Sequence, residues 1–121
     1  MSNKKTLVLG ASLKPERYSN AAINKLKANN HEVLAFGLVP GRVNSVSIDT
    51  ELLDYTDIHT VTLYLNSNHQ KKYYKYILGL NPRRVIFNPG TENPEFMELL
   101  SAQNISYEVA CTLVLLSIGE Y

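Results

Sequence analysis

A short segment after the first apolar run of the chain combines the residue types that hold a phosphate group. The run ends at Gly10, which is followed by Ala11 and Ser12. Glycine permits a sharp turn and a close approach of the backbone to a ligand. The N–H groups at the start of the next helix favour an anion at the same place. Lys14 and Arg17 add positive charge, and arginine makes bidentate contacts to phosphate. We therefore predict an anion-binding loop here.

The established phosphate motifs are absent from this loop. Lys14 is not preceded by the two glycines of G-x-x-x-x-G-K-[ST], and no G-x-G-x-x-G occurs. A dinucleotide site also needs an acidic residue at the end of the second strand. That strand ends at Phe36 and Gly37, and Glu32 lies at its opposite end. The sequence thus disfavours a nucleotidase of the P-loop type and an NAD site.

Metal and nucleophile chemistry have little support in the sequence. His31, His59 and His69 lie far apart, without the spacing of metal ligands. The apolar residues around Cys111 favour a packed, inert thiol over a reactive one. The run from Lys71 to Tyr76 mixes cations with aromatic rings, but on a helix its tyrosines join the core and its lysines face water. We expect no metal site and no nucleic-acid partner.

Length and charge narrow the classes further. The chain has 121 residues and a formal net charge of +1, too little for a general attraction to nucleic acid or anionic membranes. Its longest apolar stretch, Val109 to Ile118, is much shorter than the roughly 20 residues of a membrane span. One cysteine fits a reducing compartment. We expect one domain over residues 1–121, located in the cytoplasm.

The elements that must position the loop alternate between apolar strands and amphipathic helices. Nearly continuous apolar strands are typical of a parallel sheet covered on both faces. We therefore predict a doubly wound α/β fold with five parallel strands in the order 3-2-1-4-5 and helices on both faces. The segment from Gly37 to Ser47, which contains Pro40 and Gly41, is predicted to be a loop. The predicted strands are Thr6–Leu9, Glu32–Phe36, Thr60–Leu65, Arg84–Phe87 and Ser106–Val109.

Helix signals lie between these strands. Ser19 or Asn20 is the expected N-cap of the first helix. A second helix is predicted over Tyr73–Leu80 from its apolar spacing. Asn93 followed by Pro94 marks the start of a third. Cys111 to Ile118 is predicted to be the terminal helix.

Ligands of such sheets bind beyond the carboxyl ends of the strands, where the strand order reverses. The loop after the first strand lies there. The segment from Phe36 to Pro40 is weakly polar and suits a flat ring or an alkyl arm. The turn Asn88-Pro89-Gly90 follows the fourth strand and has a glycine for positive φ. These loops define the predicted site.

Three segments carry a resemblance to a known family: Val8–Ser12, Pro15–Asn20 and His31–Leu34. With them the chain, from about Lys5 to Cys111, resembles the CoA-binding domain family. These are small Rossmann-like proteins similar to the nucleotide-binding domain of the succinyl-CoA synthetase α subunit. The chain lacks the Val-Asn-Pro usual after strand two and the Gln-x-Gly frequent after strand four.

The resemblance implies a site for coenzyme A or an acyl-CoA, with the diphosphate beside the first loop, adenosine near the second and pantetheine near the fourth-strand turn. It implies a ligand-binding module without catalytic residues, acting alone, as a homo-oligomer or beside a CoA-dependent enzyme. The alternatives are a thioester enzyme using Cys111 or Arg17, and an interaction protein with a degenerate site. The implied contacts are Gly10, Ala11, Ser12, Arg17, Tyr18, Ser19, Asn20, Gly37, Val39, Pro40, Asn88, Pro89 and Gly90.

Overall fold

The computed structural model describes residues 3–121 and contains one sheet of seven strands. The strands are β1 (Thr6–Leu9), β2 (Val33–Phe36), β3 (Gly41–Val43), β4 (Val46–Asp49), β5 (Thr60–Leu63), β6 (Arg84–Phe87) and β7 (Ser106–Val109). Their order is β3-β4-β2-β1-β5-β6-β7. All neighbouring strands are parallel except β3 and β4, which form an antiparallel hairpin.

Helices cover both faces of this sheet, as predicted. They are α1 (Tyr18–Ala28), α2 (Ser67–Gln70), α3 (Tyr74–Leu80), α4 (Pro94–Ala102) and α5 (Thr112–Ser117), with a 3₁₀ turn over Lys71–Tyr73. The predicted start of α4 is confirmed, because the Asn93 side chain accepts the Phe96 N–H at 3.2 Å and Pro94 is the first helical residue. The first helix instead starts earlier than predicted, with Arg17 as its N-cap.

The core is divided by the sheet into two apolar layers. Alternate residues of a strand point to opposite faces, so Leu7 packs with α3 and α4 while Val8 packs with α1 and α5. Every residue of β1 and β5 is buried, as expected for central strands covered on both faces. The central strands therefore hold their carboxyl ends, and the loops beyond them, in fixed positions.

Two features of the predicted sheet are wrong: it has seven strands rather than five, and their order differs. The predicted loop after β2 contains the β3–β4 hairpin. Asn44 and Ser45 join its strands with φ values of +49° and +68°, and two consecutive positive values characterise a type I′ turn. Val43 and Val46 are buried on either side of the turn. Buried residues on both sides of a two-residue polar turn are the sequence pattern of a hairpin. Pro40 and Gly41, which are typical of loops, led to the prediction of a loop instead.

The missed hairpin also explains the wrong order. Strand β4, and not the predicted third strand at Thr60–Leu65, lies beside β2. That predicted third strand is β5, which pairs with the other side of β1. The strand order still reverses at β1. Because β5 is the next strand in the sheet, the loop after β5 is the one that lies beside the β1 loop at this point.

A buried histidine makes the stability of this fold dependent on pH. The His31 Nδ1 atom accepts the Lys4 N–H at 3.0 Å, and the ring packs 5.0 Å from the ring of Tyr121. Burial lowers the pKa of His31 from 6.5, and the positive charges of Lys4 and Arg84 lower it further. As the pH falls below about 6.5, the His31 side chain of the unfolded protein takes up a proton before that of the folded protein does. The free energy of unfolding should therefore be highest above about pH 6.5 and decrease below it.

Urea denaturation between about pH 8 and pH 5 measures this dependence. His31→Gln should flatten the decrease, whatever its effect on stability at neutral pH. His69→Gln, which changes an exposed histidine, serves as the matched control and should leave the slope unchanged. An unchanged slope in His31→Gln would contradict this assignment.

Candidate functional site

A cleft of about 530 Å³ lies at the carboxyl ends of β1 and β5. It is bounded by the loops that follow β1, β2, β5 and β6, together with the first residues of α1. This is the position at which the strand order reverses, where parallel sheets bind their ligands. The volume lies within the range of about 300–1,000 Å³ usual for small-molecule sites. The cleft is thus the candidate functional site.

Most of the predicted site residues line this cleft, and their contact with a ligand stays a prediction. Those that line it are Gly10, Ala11, Ser12, Arg17, Tyr18, Ser19, Gly37, Val39, Pro89 and Gly90. Three others, Asn20, Pro40 and Asn88, do not form part of its lining. Pro40 is exposed beside β3, while the two asparagines are buried.

The turn after β1 is held by two hydrogen bonds to one carbonyl group. The N–H groups of Gly10 and Ala11 donate to the Phe36 oxygen at 2.9 and 2.8 Å. Gly10 has a φ of +99°, a conformation that side chains other than hydrogen disfavour. These two N–H groups are therefore occupied by β2. In the described chain, the N–H groups of Tyr18 and Ser19 at the start of α1 have no acceptor. Both groups can donate to a ligand.

Gly37 allows the loops after β1 and β2 to lie in contact. A Cβ atom at this position would lie 2.4 Å from the Ala11 carbonyl oxygen, much closer than real Cβ contacts allow. The Gly37 N–H donates to the Asp49 oxygen at 3.0 Å, which ties the same point to β4. The absence of a side chain at Gly37 thus sets the shape of this side of the cleft.

Asn20 is buried behind the loop that follows β1 and holds it in position. Its Nδ2 atom donates to the Ser12 carbonyl oxygen at 3.0 Å, and only 6% of the residue is exposed. The Ser12 hydroxyl in turn accepts the Lys14 N–H at 3.1 Å. Asn20 therefore acts on the cleft by holding Ser12 in place.

Asn88 connects three elements beneath the site. Its Nδ2 atom donates to Thr62 Oγ1 at 2.7 Å and to the Leu63 carbonyl oxygen at 2.9 Å. Its Oδ1 atom accepts the N–H of Thr112, the first residue of α5, at 2.9 Å. The side chain thus joins β5, β6 and α5, and its hydrogen-bonding groups are used within the fold.

The loop after β5 supplies a wall that the sequence interpretation missed. Leu65 and Asn66 line the cleft from this loop, and His69 and Lys72 line it from the helical segment that follows. The predicted order 3-2-1-4-5 placed this strand at the outer edge of the sheet, beyond the second strand, and no site residue was predicted from its loop. The polar run Asn66 to Asn68 directly after a buried strand was the available signal.

A fully buried glutamine joins the loops after β5 and β6. The Gln70 Nε2 atom donates to the carbonyl oxygens of Leu65 and Thr91 at 2.8 and 2.7 Å. Its Oε1 atom accepts from Asn93 Nδ2 at 3.0 Å. Since buried polar groups require partners, this network holds both loops in a defined relative position.

The charge distribution of the cleft favours an anion that also has apolar parts. Lys14, Arg17 and Lys72 line it, and no aspartate or glutamate of residues 3–121 does. None of these three cations forms an ion pair within residues 3–121. In the same lining, Leu38 is 81% exposed and Val39 is 60% exposed. Exposed apolar side chains beside unpaired cations suit a ligand with phosphate groups and a ring or alkyl arm.

Other chemistry has little support in this region. Cys111 is partly buried next to α5 and does not line the cleft. Among residues 3–121, no group of three or more histidine, cysteine, aspartate or glutamate residues is placed to hold a metal ion. No helix in the same range has the length and apolar character needed to cross a membrane.

The fold and the cleft define a Rossmann-like α/β protein with a ligand-sized site at its topological switch point. The model of the CoA binding domain matches residues 4–117. The chain belongs to this family, which confirms the resemblance found in the sequence.

Solved structures agree with this fold. A structure described as an uncharacterized protein is 45% identical, with full coverage of both chains and a TM-score of 0.97. A hypothetical protein from Pyrococcus horikoshii OT3 is 24% identical over 93% of this chain and 80% of its own, with a TM-score of 0.82. Prb, described as the PH1109 protein redesigned for binding, is 21% identical over 98% and 86%, with a TM-score of 0.84. No curated protein gives a significant match.

Proposed function

We propose that the protein binds coenzyme A or an acyl-CoA in the cleft at the carboxyl ends of β1 and β5. The observation that carries the proposal is the meeting of unpaired cations, free helix N–H groups and exposed apolar side chains in a cleft without acidic residues. CoA has these complementary parts, since it joins phosphate groups to a purine and a pantetheine arm. Membership of the CoA binding domain family supports the same ligand.

The phosphate groups are proposed to lie at the start of α1. This helix has 11 residues, and its first two N–H groups have no acceptor among residues 3–121. A helix N-terminus favours negative charge through these donors and the helix dipole. Arg17 and Lys14 lie on the same loop and add charge-assisted contacts. The ligand in turn supplies the negative charge that this corner of the protein lacks.

The apolar parts of the ligand are proposed to follow the loops after β2 and β6. Leu38 and Val39 offer exposed apolar surface beside the β1 loop. Pro89 and Gly90 border the other side of the cleft, and a Cβ at Gly90 would meet no atom within 4 Å. The open space at this turn leaves room for an extended arm.

A binding role without catalysis fits the cleft better than thioester chemistry. Among residues 3–121, neither a carboxylate nor the cysteine lines it, so the cleft has no thiol nucleophile and no acidic group to orient a base for its serines. We propose that the protein holds its ligand by itself or presents it to a CoA-dependent partner. Turnover of acetyl-CoA by the purified protein, lost in Cys111→Ala, would favour the enzyme instead.

Titration calorimetry with CoA, acetyl-CoA, NAD and ATP tests the proposal. CoA and acetyl-CoA should bind, and Arg17→Ala should raise their Kd roughly 10- to 100-fold, since a hydrogen bond to a charged group contributes about 1.5–3 kcal/mol. Arg42→Ala is the matched control, because Arg42 is exposed on β3 and does not line the cleft. The affinity should also fall as salt is added. An absence of heat with either CoA species at millimolar ligand would contradict the proposal and favour an interaction protein that has kept only the fold.

A further inference from the structure

Three neighbouring strands start directly after a basic residue at the opposite edge of the sheet. Lys5 precedes β1, His59 precedes β5 and Arg83 precedes β6. The first residues of these strands pair in register, so the three basic residues form a row across the sheet. The His59 N–H donates to the Lys5 oxygen at 2.9 Å, and the Arg83 N–H donates to the His59 oxygen at 3.0 Å. The backbone thus holds the row in place.

The spacing of strands gives this row a defined length. Adjacent strands lie about 4.8 Å apart, so the row extends over roughly 10 Å. We call this set the basic row, formed by Lys5, His59 and Arg83. It contains three positive or protonatable groups.

A second cavity of about 630 Å³ lies against the basic row. It is lined by all three members of the row and also by Asn3, Lys4, Asp57, Ile58, Leu80 and Asn81. No residue is common to this cavity and the cleft of the proposed CoA site. The two are separated by the length of the strands, about 13 Å for four residues.

Positive charge exceeds negative charge in the lining of this cavity. Lys4, Lys5 and Arg83 line it against a single carboxylate, that of Asp57. Arg83 is exposed, and its guanidinium has no ion-pair or hydrogen-bond partner within residues 3–121. The Lys5 ammonium donates to the Thr56 carbonyl oxygen at 2.7 Å and lies 3.9 Å from Glu32, so its charge is only weakly paired and it keeps further N–H donors for an anion. The charge of the cavity is therefore only partly compensated by the protein.

The pKa of His59 is affected by the same positive charges. Burial lowers the pKa of His59 from 6.5, and the charges of Arg84, Lys4, Arg83 and His31 lower it further. An anion in the cavity would oppose these charges. A bound anion should therefore raise the pKa of the His59 imidazole.

The hydrogen bonds around His59 leave a donor for such an anion. Thr60 Oγ1 accepts from Arg84 Nε at 3.1 Å and lies 2.7 Å from His59 Nδ1. The Thr60 hydroxyl can then donate its own proton to Nδ1. A neutral imidazole that accepts at Nδ1 carries its proton on Nε2. That N–H has no acceptor within the described residues.

We propose that the second cavity binds a small polyphosphate anion, for which pyrophosphate is the probe. Arg83 offers a planar fork that matches two phosphate oxygens. Lys5 and His59 lie further along the row, within reach of a second phosphate group. An anion with two phosphate groups can engage the row along its length, whereas one phosphate ion engages only part of it. The short length of the row and the carboxylate of Asp57 favour such a compact ligand over a nucleic-acid strand.

Titration of the full-length chain with pyrophosphate, followed by amide NMR shifts, tests this site. Saturating pyrophosphate should shift the amides around Lys5, His59 and Arg83. Arg83→Gln should raise the Kd for pyrophosphate at the basic row about tenfold, and inorganic phosphate should bind there more weakly than pyrophosphate. Arg42→Gln is the matched control and should leave the response unchanged. Thermal unfolding of each variant shows whether it is folded.

Pyrophosphate can also reach the cations of the first cleft, so the two sites must be separated. Arg17→Ala should abolish shifts at the start of α1 while leaving those of the basic row intact. Shifts confined to residues 10–19, or an unchanged response at the basic row in Arg83→Gln, would overturn the proposal. Tighter binding of a single-stranded oligonucleotide than of pyrophosphate at the row would do so as well. None of these outcomes depends on whether CoA binds.

Discussion

Gly37→Ala should lower the free energy of unfolding by about 1–3 kcal/mol, the usual cost of forcing extra volume into a packed site. The added Cβ would lie 2.4 Å from the Ala11 carbonyl oxygen, so the loop after β1 or the strand below it must move. That movement displaces the turn at Gly10 and Ala11, whose N–H groups bind the Phe36 oxygen, and so changes the wall of the cleft that this turn forms. We also expect the Kd for CoA to rise at least about tenfold, which corresponds to about 1.4 kcal/mol. Urea denaturation and titration calorimetry measure the two effects.

Gly79→Ala is the matched control for this substitution. Gly79 lies within α3, and a Cβ there would meet no atom within 4 Å. Alanine has the higher helix propensity, so this variant should be more stable by about 0.5–1 kcal/mol. Its affinity for CoA should equal that of the wild type. Equal stability and affinity in Gly37→Ala and the wild type would show that the close approach of the two loops is not required.

Asn88→Ala should destabilise the fold without changing the ligand site. The substitution removes hydrogen bonds to Thr62 Oγ1 and the Leu63 oxygen, and it leaves the Thr112 N–H buried without an acceptor. An unsatisfied buried donor alone costs about 1–3 kcal/mol. We expect the free energy of unfolding to decrease by about 2–3 kcal/mol. Calorimetry at a temperature where the variant is folded should give a Kd for CoA within about twofold of the wild type.

Asn68→Ala provides the comparison for Asn88→Ala. Asn68 is exposed in α2, and its side chain makes no hydrogen bond in the described structure. Its loss should change the free energy of unfolding by less than about 0.5 kcal/mol. A Kd for CoA that rises tenfold in Asn88→Ala, with stability unchanged, would instead favour the ligand contact implied by the family resemblance.

The contrast between β1 and the β3–β4 hairpin shows how much of the fold was predictable from sequence. Thr6–Leu9 is apolar throughout and buried on both faces, so its local pattern is sufficient to identify it. The hairpin has strands of three and four residues, and its pattern is visible only around the turn at Asn44 and Ser45. Strand order then follows from which strands pair, a non-local property that the spacing of residues does not contain.

The candidate site shows the same division. Gly10 and Arg17 could be identified because a strand, a glycine and a helix start follow each other along the chain. Lys72 could not, since its place in the cleft depends on β5 lying beside β1. Gln70 is a polar residue in a polar segment, and its complete burial arises only when the loops after β5 and β6 come together.

The hairpin at the edge of the sheet affects how much entropy the first loop loses when a ligand binds. Leu13, on that loop, packs over Gly41 of β3, where even a Cβ atom would lie 2.7 Å from the leucine side chain. Gly37 holds the same loop from the end of β2. The loop is thus preorganised by contacts that already exist in the free protein. Less of the interaction free energy is then needed to order the backbone, and a substitution at Gly41 that displaces Leu13 can change the affinity without touching the ligand.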